Sequence, residues 1–491
     1  MKPYLLFALF IALIAYSSCN QAPSQKTTSE EINKKYKHLD SLRARLTPIE
    51  KDWEEIIKDG KLKVLTTYSG TSYFLYKGRT MGFEFELLKK FADDMKLEID
   101  LHIIKDIDSM FIYLNRGDGD LVAHTIAQTR KRNNLVSFTK PLFSSHQVLV
   151  QKMPEKWYAL HWKVIEDSLL HDPIELIGKK VSVRANSSYH DRLLNLSDEM
   201  GGKIIIDEVP GEMTTEEIIE LVAEGKLKYT VADNNIASLL ASYYPILNTE
   251  IKISTTQNMA WATRKNSPVL LSKINEWLIQ YKKETDYYVT YNKYYKNKKD
   301  FRKRVNSDFY SLKNNQISKY DDLVKKEAEQ LNWDWRLLMS QVYQESRFDP
   351  HAVSWAGASG LMQIMPLTAK ELGVKNRNDP KQSLNGGVRY LKYLMGQFED
   401  VPDTLQRIKL ALASYNCGYG HVADAQRLAL KKHLDPYKWD ENVEEMILAL
   451  RYPKNYNDES VKHGYTSGLE PYTYVRQIFE RYEHYKVFIR E

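Results

Sequence analysis

One carboxylate in the last third of the chain stands where it could do acid chemistry. Leu338, Val342 and Glu345 are spaced four and three apart, which puts them on one face of a helix. That face is apolar apart from the glutamate. A carboxyl held against apolar neighbours loses hydration, so its anion is disfavoured and its pKa rises. Such a group keeps a proton near neutrality and can hand it to a leaving oxygen, the general-acid role. Taken alone, a glutamate at a helix end is more often a solvated or capping residue.

Other chemistries find no residues to carry them. The twelve histidines form no ligand cluster and no His-Glu-x-x-His occurs, so neither a metal nor a cofactor is expected. Gly-rich phosphate loops are absent. Two cysteines, Cys19 and Cys417, exclude a disulfide-stapled scaffold. With 70 basic and 64 acidic residues the net charge is +6, too little for a chain-wide nucleic-acid footprint. The excess is local: Lys282 to Arg304 holds nine basic and three acidic residues. Hydrophobic content of 43% over 491 residues excludes a disordered chain and points to about three folding units.

The elements that must position the glutamate come late. Lys2 and the mostly apolar run Tyr4–Tyr16 read as an export signal, too short for a comfortable membrane span. Residues 20–55 form a polar tether. From Lys61 strands and helices alternate: Lys61-Leu-Lys-Val-Leu-Thr-Thr, a helix from Phe83, then Glu98–Ile104 and Asp120-Leu-Val-Ala. The pattern resumes at Lys179-Lys-Val-Ser-Val, Lys203-Ile-Ile-Ile and Lys228-Tyr-Thr-Val-Ala. This predicts an α/β module of two lobes with largely parallel pairing over 56–281. The basic, Tyr-rich stretch 282–318 reads as a solvated helical connector. Helical periodicity then fills 319–491, punctuated at Gly357-Ala-Ser-Gly, Met365-Pro, Asn385-Gly-Gly and Leu469-Glu-Pro.

Ser17, Ser18 and Cys19 resemble the lipobox of bacterial lipoproteins, which implies that the signal in residues 1–19 is cut so that Cys19 becomes the acylated N-terminus. Asn20 after it is compatible with sorting to the outer membrane, with the periplasmic face expected and the cell surface left open. A plain secretory signal with an incidental cysteine is the alternative.

In the α/β half, Asp59-Gly-Lys-Leu-Lys-Val, Gly82-Phe-Glu-Phe-Glu-Leu, Leu114-Asn-Arg-Gly-Asp-Gly-Asp-Leu, Thr129-Arg-Lys-Arg and Ser137-Phe-Thr-Lys-Pro-Leu follow in order. The series resembles the polar-amino-acid family of periplasmic solute-binding proteins. The resemblance implies that Arg132 grips a ligand carboxylate, that Asp233 takes its ammonium and that Tyr68 covers it. Ala127 replaces the small hydroxyl residue usual five places before the arginine. A surface ion-pair role for Arg132 is the alternative.

In the helical half, Gln344-Glu-Ser-Arg-Phe-Asp-Pro-His-Ala-Val-Ser, Ala356-Gly-Ala-Ser-Gly-Leu-Met-Gln-Ile-Met-Pro, Ala413-Ser-Tyr-Asn-Cys-Gly and Glu470-Pro-Tyr-Thr-Tyr-Val resemble the soluble-lytic-transglycosylase catalytic domain, an all-α (α+β lysozyme-like) fold of glycoside hydrolase family 23. That resemblance implies a single catalytic acid-then-base, Glu345. Ser346 and Gln363 would orient the N-acetyl sugar, Tyr415 and Asn416 would line the cleft, and Tyr474 would reach back to the acid. Cys417 reads as small filler and Met362 as packing.

The expected substrate is the glycan strand of peptidoglycan. Its N-acetyl group would stabilise the cationic centre, so one carboxylate suffices. The resemblance implies that the sugar's own 6-hydroxyl then attacks, giving a product that ends in a 1,6-anhydro ring. Lysozyme-like hydrolysis and a non-catalytic wall-fragment receptor stay open. Amino acids or stem peptides are the expected ligands of the α/β module, either raising the cleavage rate through lobe closure or bound by a module that only localises the enzyme.

Overall fold

The computed structural model describes residues 48–490, apart from Asn186 and the side chain of Asp108. Cys19 and the signal lie outside the described residues. No helix among the described residues is long and apolar enough to cross a membrane.

The first lobe is built on a sheet whose strands run in the order Glu98–Ile103, Lys61–Thr66, Leu121–Ala127, Gln257–Thr263 and Ser137–Phe138. The first three are parallel. Gln257–Thr263 pairs antiparallel with Leu121–Ala127, because it belongs to the chain returning from the second lobe. In the second lobe Lys180–Arg184 and Ile205–Val209 pair parallel, while Gln147–Lys152 lies antiparallel to Tyr229–Asp233 and Leu247–Asn248. Pairing is therefore mixed rather than largely parallel. The helix Phe83–Met95 lies on the first sheet through Phe83, Leu87, Leu88 and Phe91, all buried at helical spacing.

Two boundaries differ from the sequence reading. The module includes residues ahead of the expected 56: Ile49 N–H donates to Asn115 O, and the buried Arg264 guanidinium donates to Lys51 O at 3.0 Å while pairing with Asp120 at 3.0 Å. The Tyr-rich stretch is not a solvated connector. Its helices Thr285–Tyr291 and Lys298–Val305, and the turn between them, bury Tyr287, Tyr294, Tyr295, Phe301 and Val305 in the α/β core. Tyr287, Tyr291 and Tyr295 surround Phe83 edge-on, with ring centroids 6.1, 5.8 and 5.3 Å away. Most of the lysines point outward while the rings supply the apolar face, but Arg304 is buried over the Phe74 and Tyr294 rings.

The second half is helical. Trp335–Ser346, which carries Glu345, packs against the terminal helix Leu469–Phe488, and Thr404–Cys417 packs there too. Asn385-Gly-Gly is not a break. It lies inside the helix Pro380–Gly396, and a Cβ on Gly387 would come within 2.7 Å of Met362 Cγ. Glycine there lets Met362 close the core beneath the Gly360–Gln363 segment.

The halves share a core. The hairpin Phe74–Tyr76/Arg79–Met81 leaves the first lobe and seats Leu75, fully buried, in the apolar cluster of the helical half. At its tip Gly78 (φ +73°) gives its carbonyl to Tyr485 O–H at 2.8 Å, and a Cβ there would stand 2.5 Å from the Phe348 ring. Only glycine meets both the left-handed backbone and that close approach.

Candidate active site and ligand cleft

Glu345 occupies the last turn of its helix. The helix ends one residue later because Arg347 (φ 51°) and Phe348 (φ 67°) both turn left-handed, aiming the chain away. Gln344, Glu345, Asn416, Ser467, Leu469, Glu470, Thr473 and Tyr474 line one cleft. Tyr474 O–H donates to Glu345 Oε1, and Gln341 Nε2 donates to the same phenol oxygen at 3.2 Å. Burial pushes the Glu345 carboxyl up to about 8, against the pull of the Tyr474 hydrogen bond and with help from the Glu470 charge. The group keeps partial access to the cleft, so it is protonated at neutrality and can still reach a ligand.

The remaining predicted residues divide. Asn416 lines the cleft beside the acid. Tyr415 O–H donates to Met362 O at 2.7 Å, tying its helix to the Gly-Leu-Met-Gln segment. Ser346 does not reach the cleft wall: it is buried, and its Oγ donates to Val342 O at 3.2 Å. Gln363 Nε2 donates to Ala352 O and Gly360 O, both at 2.9 Å, so its amide N–H groups brace the loop rather than point to a sugar. The Cys417 thiol is pushed up to about 12 by burial and is no nucleophile at neutral pH.

Glu470 was not picked out from sequence, although it precedes Tyr474 by four and so shares its helical face. It is an exposed carboxylate on the cleft rim. Gln341, one turn before Glu345, gives no local signal, because its partner is a tyrosine 133 residues away. Among the described residues no group of side chains could hold a metal ion.

The α/β module has a cleft of its own between the lobes. Tyr68, Ala127, Arg132 and Asp233 line it together, with Glu84, Glu216 and Arg184. Thr129 caps the short helix that carries Arg132, and Arg132 Nη1 donates to Ala127 O at 3.3 Å. Asp233, at the end of its strand, accepts from Tyr189 O–H at 3.0 Å. Its carboxyl is pushed up to about 6 by burial, against the pull of Tyr189 and of the two arginines.

Residues 322–437 match the Transglycosylase SLT domain family, and residues 61–297 match the bacterial extracellular solute-binding proteins, family 3. The second match runs through the Tyr-rich helix Thr285–Tyr291. The membrane-bound lytic murein transglycosylase F of Desulfosudis oleivorans is 35% identical over 87% of this chain and 90% of its own. The chain belongs to this family. The Pseudomonas putida member is 29% identical over 88% of this chain and 86% of its own. Among solved structures, an ancestral arginine-binding protein bound to arginine aligns over 48% of this chain and 98% of its own, at 23% identity and a TM-score of 0.41.

The two modules of this chain meet through the terminal helix. Near its start Tyr474 holds the acid, and at its end Phe488 meets Tyr68 edge-on with centroids 6.4 Å apart. Between them Tyr73 hydrogen-bonds His484, and Lys89 pairs with Glu480 at 3.6 Å. One helix thus lines the catalytic cleft and packs against Tyr68 of the other.

Proposed function

We infer that this chain is a lytic transglycosylase that cleaves the β-1,4 bond between N-acetylmuramic acid and N-acetylglucosamine in peptidoglycan. The observation that carries the reading is a glutamic acid kept protonated near neutrality by burial and presented on a cleft by a buried tyrosine. Glu345 protonates the glycosidic oxygen as the bond breaks, and the muramic N-acetyl group stabilises the cationic carbon. The resulting Glu345 carboxylate takes the proton of the sugar's 6-hydroxyl, which closes the anhydro ring. No water enters the product. Glu470 on the rim holds the acid's proton by its charge and leaves the chemistry to one carboxylate. Incubation of purified protein with isolated sacculi tests this: soluble wall fragments are expected, and intact sacculi after long incubation would contradict it.

The amino-terminal cleft is read as a site for an amino acid or peptide end, its carboxylate on Arg132 and its ammonium on Asp233. Tyr68 covers that cleft and touches Phe488, which supports regulation: lobe closure moves Tyr68, and the terminal helix carries Tyr474. Wall-derived peptides are then expected to raise the rate on glycan strands, and Arg132→Ala to remove that response while leaving basal activity. Equal rates with and without saturating peptide would leave a module that only localises the enzyme.

The anchor is proposed to be acylated Cys19, on the strength of Lys2, the apolar run and Ser17-Ser18-Cys19. Cys19→Ala should move the protein out of the membrane fraction or leave its signal uncleaved. Processed protein that still sediments with membranes would refute the lipid anchor.

A further inference from the structure

The amino-terminal cleft holds more charge than an α-amino acid head requires. Arg132 and Asp233 suffice for one carboxylate and one ammonium. A second guanidinium, Arg184, also lines the cleft, with Lys105. It sits at the end of the strand Lys180–Arg184, just before the helix Ser188–Met200, whose first residues Ser188 and Tyr189 line the same cleft.

The acids of the cleft already have partners, and those partners are neutral. Glu216 Oε1 accepts from Gly70 N–H at 3.1 Å, Asp233 from Tyr189 O–H, and Glu84 from Thr125 O–H. Glu84 still keeps one buried oxygen, Oε2, without a hydrogen bond, and the charged side chain of Arg184 is likewise incomplete. Its Nε is buried and has no hydrogen-bond partner. A buried donor on a charged group is costly to leave unmade, so a polar group missing from the chain is expected to meet it. Burial pushes Glu84 up to about 7 and raises Glu216, while the Arg184 charge pulls Glu216 and Asp233 back down. His124, pulled down to about 3, adds no positive charge and bonds Ser72. The helix N-terminus beside Arg184 favours an anion in the same place.

We propose that Arg184 is a second anion-binding residue of this cleft and that the ligand is a dicarboxylic amino acid, or a peptide end carrying one, with its α-carboxylate on Arg132 and its second carboxylate on Arg184. The proposal rests on the reading of the cleft as an amino-acid site. It adds selection: a zwitterion without the second carboxylate leaves Arg184 unpaired and binds more weakly.

Titration calorimetry on the full-length protein with L-glutamine, L-glutamate and meso-2,6-diaminopimelate tests it. Glutamine and glutamate have the same shape and differ in the second carboxylate. At least one dicarboxylate should bind at least about tenfold more tightly than glutamine, a step of about 1.4 kcal/mol. Arg184→Met should abolish that preference and leave glutamine binding unchanged, while Arg184→Lys, which keeps charge but not the fork, should retain part of it. Equal affinities for all three in the wild type, or an equal loss for all three in Arg184→Met with its melting temperature unchanged, would overturn the role of Arg184 and leave the amino-acid site standing. Failure of all three to bind would overturn the amino-acid reading of the cleft and this proposal with it.

Discussion

Glu345→Gln is expected to lower kcat for glycan cleavage by at least about 10²–10⁴-fold, the usual contribution of a positioned general acid, while making the protein more stable at neutral pH. The amide keeps the shape and can still accept the Tyr474 hydrogen bond, but it has no proton to give. The stability gain follows from the direction of the shift. The Glu345 carboxyl stands at about 8 when folded and near 4.5 when unfolded. Below the lower value both states hold the proton and the residue contributes nothing. As pH rises past it, the unfolded chain ionises while the folded one does not, and folding is penalised increasingly until pH passes the folded value. At pH 7 the penalty is up to roughly 3 kcal/mol, lessened by the group's partial contact with solvent. Melting curves at pH 4 and pH 7 check this: the variant should match wild type at the lower pH and exceed it at the higher. A variant less stable at pH 7 would mean that Glu345 is an ionised structural partner.

Leu75→Ala is expected to destabilise the catalytic half although the residue belongs to the other module. Leu75 is fully buried in the helical core, and emptying such a site costs about 2–5 kcal/mol. The backbone of the hairpin stays tied by Leu75 N–H to Ser311 Oγ at 2.9 Å and by Ser311 N–H to Leu75 O at 3.0 Å, so the cavity cannot readily collapse. Hydrogen exchange of the helix Trp335–Ser346 should speed up in the variant. Unchanged protection there would show that the hairpin only leans on the catalytic half.

Much of this was legible from residue order. The strand at Lys61, the helix at Phe83 and the apolar face beneath Glu345 show their periodicity, because each buries one face against a neighbour. The second-lobe strand at Lys203 begins two residues later, at Ile205. What escaped depends on contacts distant in sequence. The return strand Gln257–Thr263 makes the first sheet mixed, and nothing in its own residues names its partner. The Tyr-rich helices read as solvated because their apolar face is built of tyrosine among lysines, whereas the rings turn inward on Phe83 and the lysines outward.

The candidate site was legible to the same depth. Glu345, Asn416 and Tyr474 come together in one cleft, as do Tyr68, Arg132 and Asp233 in the other. Ser346 and Gln363 stand in the expected motifs, yet their donors are taken by backbone carbonyls, a local choice that spacing does not reveal. Arg184 carries no pattern of its own, and Glu470 shows only its spacing to Tyr474. Each becomes visible only when another element closes the same cleft.

The central claim, that a single acid cuts the glycan and the sugar's own hydroxyl rather than water closes the product, is tested most directly by mass spectrometry of the fragments released from purified sacculi. Wild type should yield muramic ends in the anhydro form, one water lighter than a hydrolase product, and Glu345→Gln should yield none. Reducing muramic ends from the wild-type protein would show that water attacks, and would contradict the single-acid account.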